Sequence, residues 1–138
     1  MKRLITSIVG LMILFAACKK NQDSNPCPNL GQEQSWKKYD GNPVFAAGQK
    51  SWDDGIILGH SVIKRGNTFS MWYSGGHDIF GLSIGYASST DGLNWTRSTA
   101  NPVLQATPGT WDELGVSIPV ILKDGHTLHM WYLGGQYQ

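Results

Sequence analysis

Displacing the sequence by 59 residues lays it over itself. Trp36 falls on Trp95, Asn42-Pro43-Val44 on Asn101-Pro102-Val103, and Trp52-Asp53 on Trp111-Asp112. Lys64 and Gly66 fall on Lys123 and Gly125, Met71-Trp72-Tyr73 on Met130-Trp131-Tyr132, and Gly75-Gly76 on Gly134-Gly135. Over residues 36–76 there are 15 identities in 41 ungapped positions, where ordinary residue frequencies would give roughly two or three. A fixed period of this size means stacked copies of one supersecondary unit, because a single copy cannot bury its apolar faces alone.

Each copy reads as short strands. Residues 61–64 precede a turn at Arg65-Gly66-Asn67, and the β-rich run 68–73 ends at Gly75-Gly76. Residues 82–87 alternate apolar and small side chains, as a strand with one packed face would. Asp91-Gly92 signals a hairpin turn, and 93–96 reads as the fourth strand. Seventeen glycines and six tryptophans in 138 residues suit such a turn-rich, aromatic-packed β chain. Four antiparallel strands in just under 60 residues make one propeller blade. Blades stack face to face, so both faces of the inner strands are buried, which explains why Phe69, Met71, Trp72 and Tyr73 run together.

The expected fold is therefore all-β: a partial β-propeller of about two four-stranded antiparallel blades, its ring not closed. The first blade covers about 56–98 and a partial second blade about 115–138. Trp36-Lys37-Lys38 aligns with Trp95-Thr96-Arg97, so 36–40 is expected as an outermost closing strand whose partners lie beyond residue 138. Propellers have four or more blades, which makes the chain a fragment of a protein of roughly 300 residues or more. Blade faces left uncovered would invite self-association.

The first 35 residues read as an address and a tether. Lys2 and Arg3 precede an apolar run over 4–17 that is too short to span a bilayer and suits a signal h-region. It ends in Phe15-Ala16-Ala17-Cys18, which resembles a bacterial lipobox with Phe15 in the usual Leu place. The resemblance implies a lipoprotein signal peptide at 1–17, lipid on Cys18, and an exported protein anchored in the bacterial cell envelope, at the outer membrane or cell surface. The plainer alternative is a secretory signal cut after Ala17. Residues 18–35 carry almost no large apolar side chains and read as a flexible tether. With Cys18 lipidated, Cys27 is the remaining thiol and no intramolecular disulfide can form. Processing leaves nine Lys+Arg against ten Asp+Glu, a balance that argues against a nucleic-acid surface.

The NPV boxes, the stretch 85–95 (GYASSTDGLNW) and Trp-Asp followed by a β run ending in Met-Trp-Tyr-x-Gly-Gly resemble the glycosidase-type five-bladed β-propellers. That superfamily includes arabinanases, β-xylosidases, levansucrases and invertases. The resemblance spans about 36–138 and implies a five-bladed ring, a carbohydrate ligand on its axis, and carboxylates supplied by inner strands. Residues 89–95 also resemble the Asp-box of sialidase propellers, but there a residue separates Asp from Gly, so a plain hairpin is the favoured reading.

Glycosidic cleavage needs two carboxyl groups flanking the bond. Asp40, Asp91 and Asp124 each precede Gly and fit turn chemistry; Asp23 and Glu33 lie in the tether. Asp53, Asp54, Asp78, Asp112 and Glu113 remain. Arabinanase-like relatives carry a catalytic Asp just before the Pro opening an inner strand, and an acid Glu two before the matching place. Here Leu58-Gly59 and Ser117-Ile118 stand before His60 and Pro119. The candidates are therefore the pairs Asp53-Asp54 and Asp112-Glu113, each behind a tryptophan, Trp52 or Trp111, that could stack on a sugar. Their recurrence in both units favours architecture instead: tryptophans between blades and acids capping loop amides. His60 attracts attention because its repeat partner is Pro119, although a hydrogen-bonded structural histidine is as good a reading. His77 and Asp78, in a loop the second unit lacks, could reach a ligand or simply be solvated.

No His or Cys pair shows metal-ligand spacing, and no phosphate-cradling glycine motif or Gly-x-Ser-x-Gly elbow occurs, so neither a metal nor a cofactor is expected. The function expected is that of a fragment of an exported glycoside hydrolase-like protein acting on the glycosidic bonds of polysaccharide or oligosaccharide, the fragment being inactive by itself; the alternatives are a non-catalytic glycan-binding lipoprotein and a propeller serving protein contacts.

Overall fold

The computed structural model describes residues 36–49 and 51–135. The lipobox, Cys18 and the tether lie outside the described residues. All the elements below belong to the unit Lys38–Gln138.

The described residues are all-β. β1 (Ile56–Arg65), β2 (Thr68–Gly76), β3 (Ser83–Ser89) and β4 (Thr96–Arg97) form an antiparallel sheet in the order β1-β2-β3-β4. β5 (Gly115–Asp124) and β6 (Thr127–Gly135) form a two-stranded antiparallel sheet. The sheets do not close into a ring, and blade-like sheets in series are what the repeat predicts.

The period is kept in the coordinates. Ile56 pairs Gly76 as Gly115 pairs Gly135, and Val62 pairs Met71 as Ile121 pairs Met130. Both first strands carry a bulge at the same place, between Leu58 and His60 and between Ser117 and Val120. The NPV boxes both contain cis peptides, Asn42-Pro43 and Asn101-Pro102.

β2 and β3, the central strands, carry the core. Met71, Tyr73 and Ala87 are buried, with Phe45, Trp52, Ile57 and Trp95 packed around them. β5 lies against β1, β2 and β3. Two of its main-chain donors, one within the bulge and one beyond it, are accepted by serines on the first sheet: Ile118 N–H to Ser74 Oγ at 2.7 Å and Ile121 N–H to Ser61 Oγ at 3.0 Å. Main-chain bonds from Val103 and Leu104 to Ile84 and from Val116 to Leu82 lace the two units further. The opposite face of the second sheet stays open, with Val120, Leu122, Trp131 and Leu133 more than half exposed.

Two expectations differ from the structure. Residues 36–40 form no strand and Trp36 is 97% exposed. A fourth strand needs a third to pair with, and the third strand present, β3, is already paired by β4. Residues 93–95 are likewise not a strand, and Asp91-Gly92 is not a two-residue hairpin. Ser88 pairs Thr96, leaving a longer turn built on side chains. Asp91 Oδ1 accepts the N–H groups of Leu93 (2.8 Å) and Asn94 (2.7 Å), and Oδ2 accepts Asn94 Nδ2 (2.7 Å). Ser89 Oγ accepts the N–H groups of Asp91 and Gly92. These local bonds outcompete ladder pairing, as Ser, Asp and Asn side chains often do, and they hold the Asp91 carboxyl far below the ordinary carboxylate range.

Gly75 sits in tight packing against the Trp-Asp motif. A Cβ there would stand 2.7 Å from Asp53 Cβ and 3.2 Å from the Trp52 ring. Gly75→Ala is expected to lower stability by about 1–3 kcal/mol through overpacking, read as a lower urea midpoint with unchanged slope.

Candidate functional site

The two Trp-Asp motifs occupy equivalent positions, with both aspartates buried. Trp52 stacks on Tyr73 with centroids 5.9 Å apart, and Trp111 stacks on Tyr132 at 5.5 Å. Each following aspartate accepts the tyrosine hydroxyl: Tyr73 to Asp53 Oδ2 at 3.0 Å, Tyr132 to Asp112 Oδ2 at 3.4 Å. A hydroxyl two residues upstream bonds the other oxygen, from Ser51 in one unit and from Thr110 at 2.5 Å in the other.

Asp53 is fully buried, and its network reaches further. Arg97 Nε donates to Asp53 Oδ2 at 2.8 Å while its guanidinium lies over Phe45, 4.2 Å from the ring centroid. Asn101 Nδ2 donates to the Tyr73 hydroxyl at 3.2 Å. Burial pushes the Asp53 carboxyl up, but hydrogen bonds from Ser51, Arg97 and Tyr73 and the Arg97 charge outweigh it and hold it below the usual range. Burial and the neighbouring Asp53 charge push the Tyr73 phenol up to about 12. Neither group has a free face for a substrate. Arg97 and Asn101 were not singled out from the sequence; their alignment with Lys38 and the repeated Asn42 was the available clue.

Asp112 is 4% exposed and similarly committed, accepting the Thr107 N–H at 3.2 Å besides Thr110 and Tyr132. Its carboxyl is held low, chiefly by the Thr110 hydroxyl. Glu113 Oε2 accepts the Gly109 N–H at 3.2 Å and so braces a turn. Trp111 is 55% exposed, whereas Trp52 is packed into the core.

Asp54 is different. Its carboxylate forms an ion-pair contact with His77 Nδ1. Gly55 makes this meeting possible: a Cβ there would stand 1.7 Å from the His77 carbonyl oxygen, and the Gly55 N–H donates to the Gly76 carbonyl at 3.1 Å. The second unit has Glu113 and Leu114 at the matching places. Asp78 turns the chain beyond, Oδ1 accepting the Phe80 N–H at 2.7 Å. Ile79 and Phe80 are then 62% and 79% exposed at the loop tip.

This β2–β3 loop and the segments leading into β1 and β5 lie at one end of the sheets, where both bulged strands begin. A cleft of about 180 Å3 opens there at the seam of the two units, lined by Ile79, Phe80, Leu82, Leu114, Ser117 and Leu133 with the main chain of Gly115, Gly134 and Gly135. His60 lies elsewhere, exposed in a groove of about 330 Å3 with Phe45, Val62, Met71 and Trp95. The structure thus brings Asp54, His77 and Asp78 into one loop pair and leaves His60 apart. The positions directly before His60 and Pro119 hold no carboxylate. Ile118 has φ 51°, a region a β-branched residue rarely enters.

No family model matches the chain, and no curated protein matches it. Among solved structures, one titled "Glycoside hydrolase" is similar at 26% identity with a TM-score of 0.59, over 72% of this chain and 28% of that one. The chain therefore spans little more than a quarter of that structure, and its fold is glycoside-hydrolase-like.

Losing the Asp53 carboxylate strands Tyr73 and Arg97, so Asp53→Ala is expected to cost roughly 2–3 kcal/mol. Asp112→Ala should cost less, because among the described residues no arginine reaches Asp112. Since the Asp53 carboxyl lies lower folded than unfolded, its contribution is complete above the ordinary carboxylate range and is lost as pH falls through about 4 and below. Urea midpoints at about pH 7 and about pH 3 should show a smaller acid loss for Asp53→Asn than for the parent chain.

Proposed function

We propose that this chain is part of a five-bladed, glycosidase-type propeller that acts on polysaccharide or oligosaccharide, exported and held at the bacterial cell envelope through lipid on Cys18. The observation that carries this reading is the 26%-identical likeness to a glycoside hydrolase across 72% of the chain, joined to paired blade-like sheets with a cleft at the end where both bulged strands begin. In the whole protein, an acid and a base or nucleophile would flank the scissile bond.

A specific observation favours a second reading for these two units taken by themselves, glycan binding without cleavage. Asp53 and Asp112 are buried, Glu113 braces a turn, Asp54 is paired to His77 and Asp78 caps a loop, so no two described carboxylates stand free on either side of a ligand. Catalytic acids would then come from other units.

Gel electrophoresis through embedded arabinan, xylan, mannan or fructan, beside a reducing-end assay, tests both. The expected result for the 138-residue chain is retardation by at least one polysaccharide with no release of reducing ends. Release that Asp54→Asn abolishes would place catalysis within these units. Retardation by none of the four would sink the glycan reading.

A further inference from the structure

We propose that the seam cleft between the β2–β3 loop and the start of β5–β6 is a subsite for one neutral sugar ring, with Phe80 as its stacking surface and the Asp54–His77 pair as the brace that positions it. This rests on the glycan reading above and names the place and the residues.

Three features of the loop are independent of one another. Its root is fastened to the first unit, by Gly55 N–H to the Gly76 carbonyl and by the Asp54–His77 contact. Its far end is fastened to the second unit, by Gly81 N–H to the Leu114 carbonyl at 3.0 Å and by Val116 N–H to the Leu82 carbonyl at 2.8 Å. Its tip is fixed by the Asp78 carboxylate on the Phe80 N–H. A loop held at both ends and at its tip nevertheless turns two large apolar side chains outward. Solvent alone gives no reason for that, and such exposure marks a contact surface.

The cleft's chemistry selects the ligand. Among the described residues no charged side chain lines it, and the Asp54 carboxylate at the loop root is engaged by His77. A phosphate or carboxylate would find no counter-charge. What the cleft offers is an apolar wall from Phe80, Ile79 and Leu133, one hydroxyl from Ser117, and glycine main chain. A sugar ring has the matching two-sided character, a face of C–H groups and an edge of hydroxyls. At about 180 Å3 the cleft is smaller than a site for a larger ligand and suits one ring.

The residues of the brace depart from the repeat in sequence: Glu113, Leu114 and Gln136 stand at the places of Asp54, Gly55 and His77. The subsite therefore depends on a departure from the repeat, where the Trp-Asp lock depends on its preservation.

The test is titration calorimetry of the 138-residue chain with oligosaccharides of whichever polysaccharide retards it. Phe80→Ala is expected to weaken binding about fivefold or more, and Phe80→Trp to restore it. Asp54→Ala and His77→Ala should each weaken binding, and the double variant should be no worse than either, as for two residues acting as one brace. Near-ultraviolet circular dichroism checks that each variant keeps its packing. Phe80→Ala binding as tightly as the parent chain would overturn the subsite while leaving the glycan reading in place. Absence of binding by the parent chain would remove both. Additive losses from Asp54→Ala and His77→Ala would overturn the brace.

Discussion

At the Asp53 carboxylate several separate stretches of chain meet. The loop before β1 supplies Ser51, β2 supplies Tyr73, and β4 supplies Arg97, which in turn reaches the Ala46 carbonyl. A buried carboxylate is tolerable only when fully hydrogen-bonded and paired, so once these partners close on it their relative positions are set. Trp52 lies flat on Tyr73 above the same group, and Gly75 has no Cβ because that space is occupied. β4, only two residues long, is held by Arg97 as much as by its ladder bonds.

The same lock recurs 59 residues later with Thr110, Trp111, Asp112, Tyr132 and Gly134, but without an arginine among the described residues. Among the described residues the first copy is a four-stranded sheet with a buried core, and the second contributes the hairpin β5–β6, which packs against it. Ser61 and Ser74 accept main-chain donors of β5, whereas the matching places in the second unit hold Val120 and Leu133. A polar staple joins the first unit to the second, and the second unit's outer face presents Val120, Leu122, Trp131 and Leu133 with His129 among them.

This inequality separates architecture from function. Residues kept by the repeat (Trp52, Asp53, Tyr73 and their partners) are consumed in holding each sheet to the loop before it. The sugar subsite proposed above is built where the copies diverge, at Gly55 against Leu114 and Asp54 against Glu113. A carboxylate beside a tryptophan looks like a sugar site in one dimension. In three dimensions both acids and the Trp52 indole face inward, Trp111 stays half-exposed, and the aromatic lining the seam cleft is Phe80.

The period, the all-β character and the strands of each copy were legible in the sequence, because apolar runs and glycine-rich ends of β-strands are local patterns that repeat with the fold. The turn at 89–95 was misread as a simple hairpin: Ser89, Asp91 and Asn94 bond one another in a way that depends on side-chain direction, which residue type alone does not specify. The burial of Asp53 and Asp112 was weighed but not decidable, since an acid's role depends on partners such as Arg97, 44 residues away. Tertiary structure alone decided that Asp54 meets His77, because that contact needs the two loops at the open end of the β1–β2 hairpin, far apart in sequence, to close over a glycine. Sequence determined which segments could pair; only packing determined which carboxylates were left facing water.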